Sequence, residues 1–420
     1  MKTRSDRSYL PQRLQLRRIL LAVVLPAFAA FGAALILGSQ ADRPALAQAP
    51  AQAQAKPPDK AISGAATNAE PSKKPRATDH AIVAALHWLA KHQSHDGNWS
   101  LQKYTEQCTD KTCTGTANQE SYSAATALGL LPFLRARQSQ ANSGPFQKTI
   151  ASGIQWLVNH QKADDDLSAG AESQMYSHGL ATIALCEDYG VTHDIAIGKA
   201  AQKAINFIQA AQNSKTGGWR YHPGDDGDTS VFGWQFMALK SAQFAGLAMK
   251  PTTFDGAKKW LQSCSAGGAD IGKFSYQPGD APTPTMSAVA LLSNQGLNLG
   301  KTDPVVIGGV TYLMANQPDL ANRNIYYWFY ATEAIHNTYD KDWDTWSRVI
   351  RRTLIDTQIQ EGCAAGSWDP EKPSKDAWGP SGGRLMATGL SCLTLDTYYR
   401  KIWLYQLDKD QQPSDDHTKK

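Results

Sequence analysis

Apolar positions along the chain follow two helical textures that alternate. The first is a single stripe: Ile197, Ala200, Ala201, Ala204, Ile205 and Ile208 recur at i, i+3, i+4 and i+7, the spacing of a helix that buries one face. The second is apolar nearly all round and rich in Ala, Gly and Ser. It is read over Ser121–Arg137, Gln174–Tyr189, Thr229–Leu247, Thr285–Leu297, Ile325–Thr338 and Arg384–Tyr399. A helix apolar on most faces belongs inside, and a striped one covers it. The alternation therefore predicts an all-α chain of outer and inner helices. Thr78 and Asp79 are the N-cap candidates for the first outer helix, over Ile82–Gln93.

Each striped helix ends on a recurring mark, a large side chain and its neighbour followed, after three intervening residues, by Gln. The copies are Trp88-Leu89…Gln93, Trp156-Leu157…Gln161, Phe207-Ile208…Gln212, Trp260-Leu261…Ser265, Tyr312-Leu313…Gln317 and Thr353-Leu354…Gln358, with the fourth and sixth imperfect. Four are followed by a Gly-x-aromatic turn: Gly97-Asn98-Trp99, Gly217-Gly218-Trp219, Gly272-Lys273-Phe274 and Gly366-Ser367-Trp368. A period of roughly 50 residues marks a stacked array of supersecondary units, and six helical pairs are enough to close a ring.

Charge divides the chain. Residues 1–18 carry six Lys/Arg against Asp6 alone, and Ile19–Leu37 is a run of nineteen uncharged residues, nearly long enough to span a hydrocarbon core of ~30 Å. Ala45-Leu46-Ala47 follows as a peptidase-type site. Cleaved signal peptide and uncleaved anchor both remain open, and both predict export, to a membrane-anchored or a periplasmic, cell-envelope location. Residues 41–78 are Ala, Pro, Gln and Lys with almost no large apolar side chain, which reads as a disordered linker. The expected organisation is residues 1–40 as head and signal or anchor, 41–78 as linker, 79–405 as the folded domain and 406–420 as polar tail. From residue 79 onward there are 30 basic and 34 acidic side chains, so the body has no counterion-release drive toward nucleic acid.

Six cysteines are present. Cys108 and Cys113 bracket a polar loop and, in an oxidising compartment, are expected to close a disulfide. The competing zinc reading needs two more ligands of suitable spacing, and none is visible nearby. Neither a metal nor a cofactor is expected.

The aromatic-Leu-x-x-x-Gln mark with its Gly-x-Trp turn resembles the QW repeat of squalene and oxidosqualene cyclases, and the helical pairs resemble those of protein prenyltransferase β subunits. Met175–Glu187, Gly217–Tyr221, Gly227–Val231 with Gly233-Trp234-Gln235, Tyr326–Thr332 and Trp378–Arg384 are similar to segments of exported bacterial proteins with prenyltransferase and squalene-oxidase repeats. The resemblance covers residues 79 to about 405 and implies an α6/α6 toroid. It also implies that the marker Gln reaches the free N–H groups of the next inner helix. A fold alone does not supply an activity.

Class II terpene cyclases protonate their substrate with an Asp-x-Asp-Asp-Thr motif. Aligned on Thr229, this chain supplies Asp225, Asp226, Gly227 and Asp228, so the family's proton donor falls on Gly227. Asp226 and Asp228 are candidates for a proton-sharing pair, and Asp228 is equally placed to N-cap the next helix. His178 is a candidate general acid or base. Tyr176, Trp234, Gln235, Tyr326, Tyr327 and Tyr330 are candidate ligand contacts, the tyrosines of the fifth inner helix offering π surface. Arg384 is a candidate anion contact or a partner for Asp226 and Asp228. The prenyltransferase zinc pair, Asp-x-Cys, is missing. The leading expectation is an exported toroid that holds a lipid or isoprenoid, peptide or glycan ligand in its central cavity without established catalysis. The alternatives are a terpene cyclase or isomerase and a carbohydrate-active toroid enzyme.

Overall fold

The computed structural model describes residues 77–338 and 341–399; the basic head, the apolar run 19–37, the linker as far as residue 76 and the polar tail lie outside them. Among the described residues there are twelve α-helices. No strand occurs among them beyond one isolated bridge, Ser265 to Phe274, and no helix among them is long and apolar enough to cross a membrane.

The outer helices are α1 (Ala77–Lys91), α3 (Gln147–Asn159), α5 (Ile195–Ala211), α7 (Pro251–Cys264), α9 (Pro304–Met314) and α11 (Lys341–Thr357). The inner helices are α2 (Tyr122–Arg135), α4 (Gln174–Thr192), α6 (Thr229–Phe244), α8 (Pro284–Gly296), α10 (Ile325–His336) and α12 (Gly379–Thr397). Each inner helix packs on the next, and α12 returns to α2, which closes the ring. Each outer helix from α3 to α11 lies against the inner helix of the preceding repeat, and α1 lies against α12 in the same way. The textures explain the layers. α4 is buried from Ser177 to Cys186, whereas α5 buries only its stripe of Ile197, Ala200, Ala201, Ala204, Ile205 and Ile208. Thr78 and Asp79 lie in the first turn of α1, with Thr78 buried, and so are not its cap.

The recurring mark is a set of hydrogen bonds between repeats, and the expected partner needs correction. The marker amide donates to carbonyls, one in its own turn and one on the next outer helix. Gln93 Nε2 reaches Gly97 O at 2.6 Å and Thr149 O at 2.9 Å. Gln212 reaches Gly217 O at 2.8 Å and Thr253 O at 3.0 Å. The inner-helix N–H groups are met instead by local caps such as Ser121, Asp228, Thr283 and Asn324. The turn indole closes the other end: Trp99, Trp219 and Trp368 Nε1 donate at 2.8 Å to Leu89, Ile208 and Leu354 O. These are carbonyls of the last helical turn, where the backbone N–H donors of the helix run out. In repeat five, which has no such Trp, the Tyr327 hydroxyl takes over by donating to Asn316 O at 2.8 Å.

The turn glycine is required on two counts. Gly366 has φ +91°, and a Cβ there would stand 2.2 Å from Ala84 O on the next outer helix. Gly217 repeats this, with φ +80° and a contact of 2.0 Å to Gly256 O.

Candidate functional site

Because the chain runs up one layer and down the other, all six inner helices begin at the same end of the ring. Their positive dipole ends converge on this mouth. Two of the loops feeding it are the same structure written twice. In Trp219–Gly224 the Asp225 carboxylate accepts from His222 N at 2.9 Å; in Phe274–Gly279 the Asp280 carboxylate accepts from Gln277 N at 3.1 Å. The two loops place equivalent tyrosines side by side, with Tyr221 and Tyr276 hydroxyls 2.9 Å apart. The Tyr221 ring stacks beside Tyr176 with centroids 6.2 Å apart. The Tyr176 hydroxyl meets Ser230 Oγ, which lies 3.0 Å from the Tyr326 hydroxyl. Trp378, 41 % exposed, lies edge-on to Tyr326 at 6.1 Å. Tyr176, Tyr221, Tyr276 and Arg220 are half-buried and still reach solvent.

Asp228 sits beneath these rings. It caps α6, with Oδ1 accepting from Val231 N at 2.8 Å, and its Oδ2 lies 3.7 Å from Arg220 Nε. The Arg220 guanidinium lies 5.2 Å from the Tyr221 ring centroid and 6.0 Å from that of Tyr276. Burial pushes the Asp228 carboxyl up to about 6, against the pull of the Val231 amide, Tyr276 and Arg220. Asp228 is thus a cap and also a carboxyl that changes protonation near pH 6.

The proton-sharing pair does not form. Asp226 is exposed on the loop, where its carboxylate accepts from Asn213 Nδ2 at 3.4 Å, while Asp228 is fully buried. Gly227, the position aligned with the cyclase donor, has no room for a carboxylate. Its φ is +111°, and a Cβ there would stand 2.7 Å from the Trp260 ring.

Below the mouth the ring is filled. Trp234 stacks on Phe329 at 5.9 Å and meets the Tyr330 ring edge-on at 5.3 Å. All three are buried, Tyr330 completely. Trp234 and Tyr330 are therefore packing residues under the site rather than its lining.

Other candidates also belong to the scaffold. His178 is completely buried; its Nδ1 accepts from Leu167 N at 3.0 Å, and its Nε2 lies 2.9 Å from Ala204 O, stacked on Phe207. With both ring nitrogens committed to backbone, it does not face the mouth. Gln235 donates to Met175 O at 2.7 Å and presses on Gly179, joining α6 to α4. Tyr327 faces the outer layer. Arg384 pairs with Asp369 at 2.7 Å and donates to Thr114 O at 2.7 Å, so it joins the sixth repeat to the first instead of reaching Asp226 or Asp228. Of the proposed residues, the structure brings Tyr176, Tyr326 and Asp228 together. Arg220, Tyr221, Tyr276 and Trp378 join them. Trp219–Gly224 and Phe274–Gly279 share their sequence pattern, aromatic-x-Tyr-x-Pro-Gly, and this is the signal that marks them.

The opposite end of the ring holds a charged cluster. Arg135 Nε donates to both Glu187 oxygens at 2.7 Å, its Nη1 lies 4.0 Å from Glu333 Oε1, and Thr397 donates to Glu333 at 3.0 Å. The signal was a Glu inside an apolar inner helix. Glu187 and Glu333 flank one guanidinium, and Arg135 is the charge of the group that suits the negative helix ends there.

The expected Cys108–Cys113 disulfide is not formed in this structure. Both cysteines lie with Cys363 and His92 in one buried group.

The chain has the α/α-toroid fold. No family model matches it, and no curated protein sequence does. Among solved structures it is similar to a type II terpene cyclase from Scytonema bound to geranylgeranyl dihydroxybenzoate, with 10 % identity over 77 % of this chain and 97 % of that one at TM-score 0.50. It is similar to the GH76A α-1,6-mannanase of Salegentibacter sp. HEL1_6 bound to α-1,6-mannotetrose, with 11 % identity over 77 % and 98 % at TM-score 0.52. It is also similar to an α-amylase from Clostridium perfringens, with 10 % identity over 77 % and 99 % at TM-score 0.53. At these identities the likeness is one of fold.

Proposed function

We propose that this chain is an exported toroid that binds a glycan at the mouth of its ring, through Tyr176, Tyr221, Tyr276 and Trp378 with Arg220 and Asp228. One observation carries the reading: the mouth offers half-exposed rings with hydroxyls and a charged pair, while the interior below is closed by Trp234, Phe329 and Tyr330. Rings that stack on a sugar face, with polar groups set between them, are how a concave site holds a flat polyhydroxylated ligand. A long polyprenyl chain needs depth that these side chains occupy, and the cyclase acid position is Gly227, pressed against Trp260. The fold likeness to a mannanase solved with mannotetrose agrees with this choice of ligand class. The reading is one of binding, because Asp228 is the buried carboxyl of the mouth, while Asp225 and Asp280 accept from amides of their own loops and Asp226 is exposed.

The test is calorimetric titration of the full chain with neutral and acidic oligosaccharides, and with geranylgeraniol as the competing class. The reading expects saturable oligosaccharide binding that Tyr276→Ala weakens at least tenfold. Binding of geranylgeraniol with no oligosaccharide response overturns it.

A further inference from the structure

His92, Cys108, Cys113 and Cys363 come from three separate stretches of chain, yet one ligand atom from each lies within 4.8 Å of every other. All four are buried, at 0, 6, 5 and 4 % exposure. His92 Nε2 is 3.4 Å from Cys113 Sγ and 3.6 Å from Cys363 Sγ. Tetrahedral zinc with bonds of ~2.3 Å to sulfur and ~2.0 Å to nitrogen places a sulfur and a nitrogen ~3.5 Å apart and two sulfurs ~3.8 Å apart. The two nitrogen–sulfur distances are those of the edges of such a tetrahedron, and the remaining separations stay within 4.8 Å.

The surroundings organise the ligands further. His92 Nδ1 lies 2.8 Å from Trp88 O, which fixes that nitrogen as the N–H and leaves the Nε2 lone pair facing the sulfurs. A backbone carbonyl in this role is the usual outer partner of a metal-bound imidazole. The Cys113 amide points at Cys108 Sγ from 3.4 Å, as expected where a four-residue gap folds two cysteines around one centre. Asp110, between them, accepts from Cys363 N at 2.8 Å and pins the distant cysteine to this loop. Trp88 stacks on the imidazole at 4.3 Å and Tyr104 meets it edge-on at 5.9 Å, so water is kept off. One contact opposes metal: Cys108 Sγ lies 3.3 Å from Asp110 Oδ1, a thiol donation that binding would give up. A disulfide accounts for two of the sulfurs and leaves the third and the imidazole unexplained.

We propose that His92, Cys108, Cys113 and Cys363 form a structural zinc site that closes the ring. Soft thiolates with one imidazole select zinc over the harder divalent ions. Four protein ligands leave no position for substrate, so the metal's role is to hold structure. Binding releases the three thiol protons to solvent and leaves a centre of net charge −1. The ligands tie the end of α1 and the first-repeat loop to the turn after α11, across the seam where the last repeat meets the first. This is a different place and ligand set from the Asp-x-Cys pair sought in the sequence.

The test is elemental analysis of the full chain purified without chelator, with thiol counting and intact mass under non-reducing conditions. About one zinc per chain is expected, released in proportion as a mercurial reagent titrates the thiols. Cobalt exchanged into the site should give the intense visible bands and thiolate charge transfer of tetrahedral coordination. Cys363→Ser should lose the zinc on dialysis against a weak chelator, whereas Cys264→Ala should keep it. If Cys363→Ser does not fold, the cobalt spectrum of the unaltered chain decides. Metal-free protein with no cobalt bands, or a mass showing a disulfide among Cys108, Cys113 and Cys363, overturns the proposal.

Discussion

Gln358 Nε2 donates to Ala81 O across 2.8 Å, joining residues 277 positions apart. The same amide also reaches Gly366 O at 2.9 Å. It is the bond that Gln93 and Gln212 make to their own next neighbours, used here to bring the sixth repeat onto the first. The seam is therefore built like the boundaries that Gln93, Gln161 and Gln212 close, with Arg384–Asp369 and the His92 cysteine group added to it.

Gln358→Ala removes a buried donor from two carbonyls, each of which is then left short of a partner. A loss of ~1–3 kcal/mol is expected. Gln212→Ala, at a half-exposed position where water can substitute, should cost less. Urea unfolding of the two variants compares them, and equal losses would deny the seam its special weight.

Gly366→Ala must accommodate a Cβ 2.2 Å from Ala84 O at φ +91°. Both the clash and the left-handed backbone count against it, and a loss above ~3 kcal/mol is expected. Gly224→Ala has φ +82° but nothing within 4 Å, so strain alone applies, ~1 kcal/mol. Thermal unfolding of the pair separates close approach from backbone strain.

Asp228 gives the fold a specific pH dependence. Its folded carboxyl sits at about 6, above its ordinary value of 3.8, so in that window the folded state holds more protons than the unfolded one. Its contribution to stability is present at low pH and is lost as pH rises from about 4 to about 6. Asp188, raised to about 6 by burial and then by Asp194, adds a slope of the same sign. Asp228→Asn keeps a capping oxygen and should flatten part of that slope in denaturation curves taken between those pH values. An unchanged slope would place the titration elsewhere.

Arg384→Lys and Arg220→Ala should separate the seam from the mouth. Lysine cannot reproduce the fork that holds Thr114, Ser367 and Asp369. A stability loss of ~2–4 kcal/mol is expected there, with oligosaccharide affinity unchanged in the molecules that remain folded. Arg220→Ala, half-exposed above Tyr221, should leave the melting temperature nearly unchanged and weaken binding. The reverse pattern would exchange the two roles.

The sequence by itself determined the layers and the ring. Helical period, the contrast between striped and all-round apolar segments and six copies of one mark are local properties, and local properties are what a linear reading resolves. Even the helix starts at Gln174, Thr229 and Ile325 were legible, because caps and breakers sit beside them. Only the tertiary structure decided which side chains meet. His92 and Cys363 are 271 positions apart, and no spacing rule joins a cysteine pair in one loop to ligands brought in by ring closure. His178, Tyr327 and Arg384 carry the chemistry of a site, yet helix rotation turned each toward backbone it serves. Tyr221 and Tyr276 are equivalent positions in two copies of one loop, and stacking those copies is what places their hydroxyls together at the mouth.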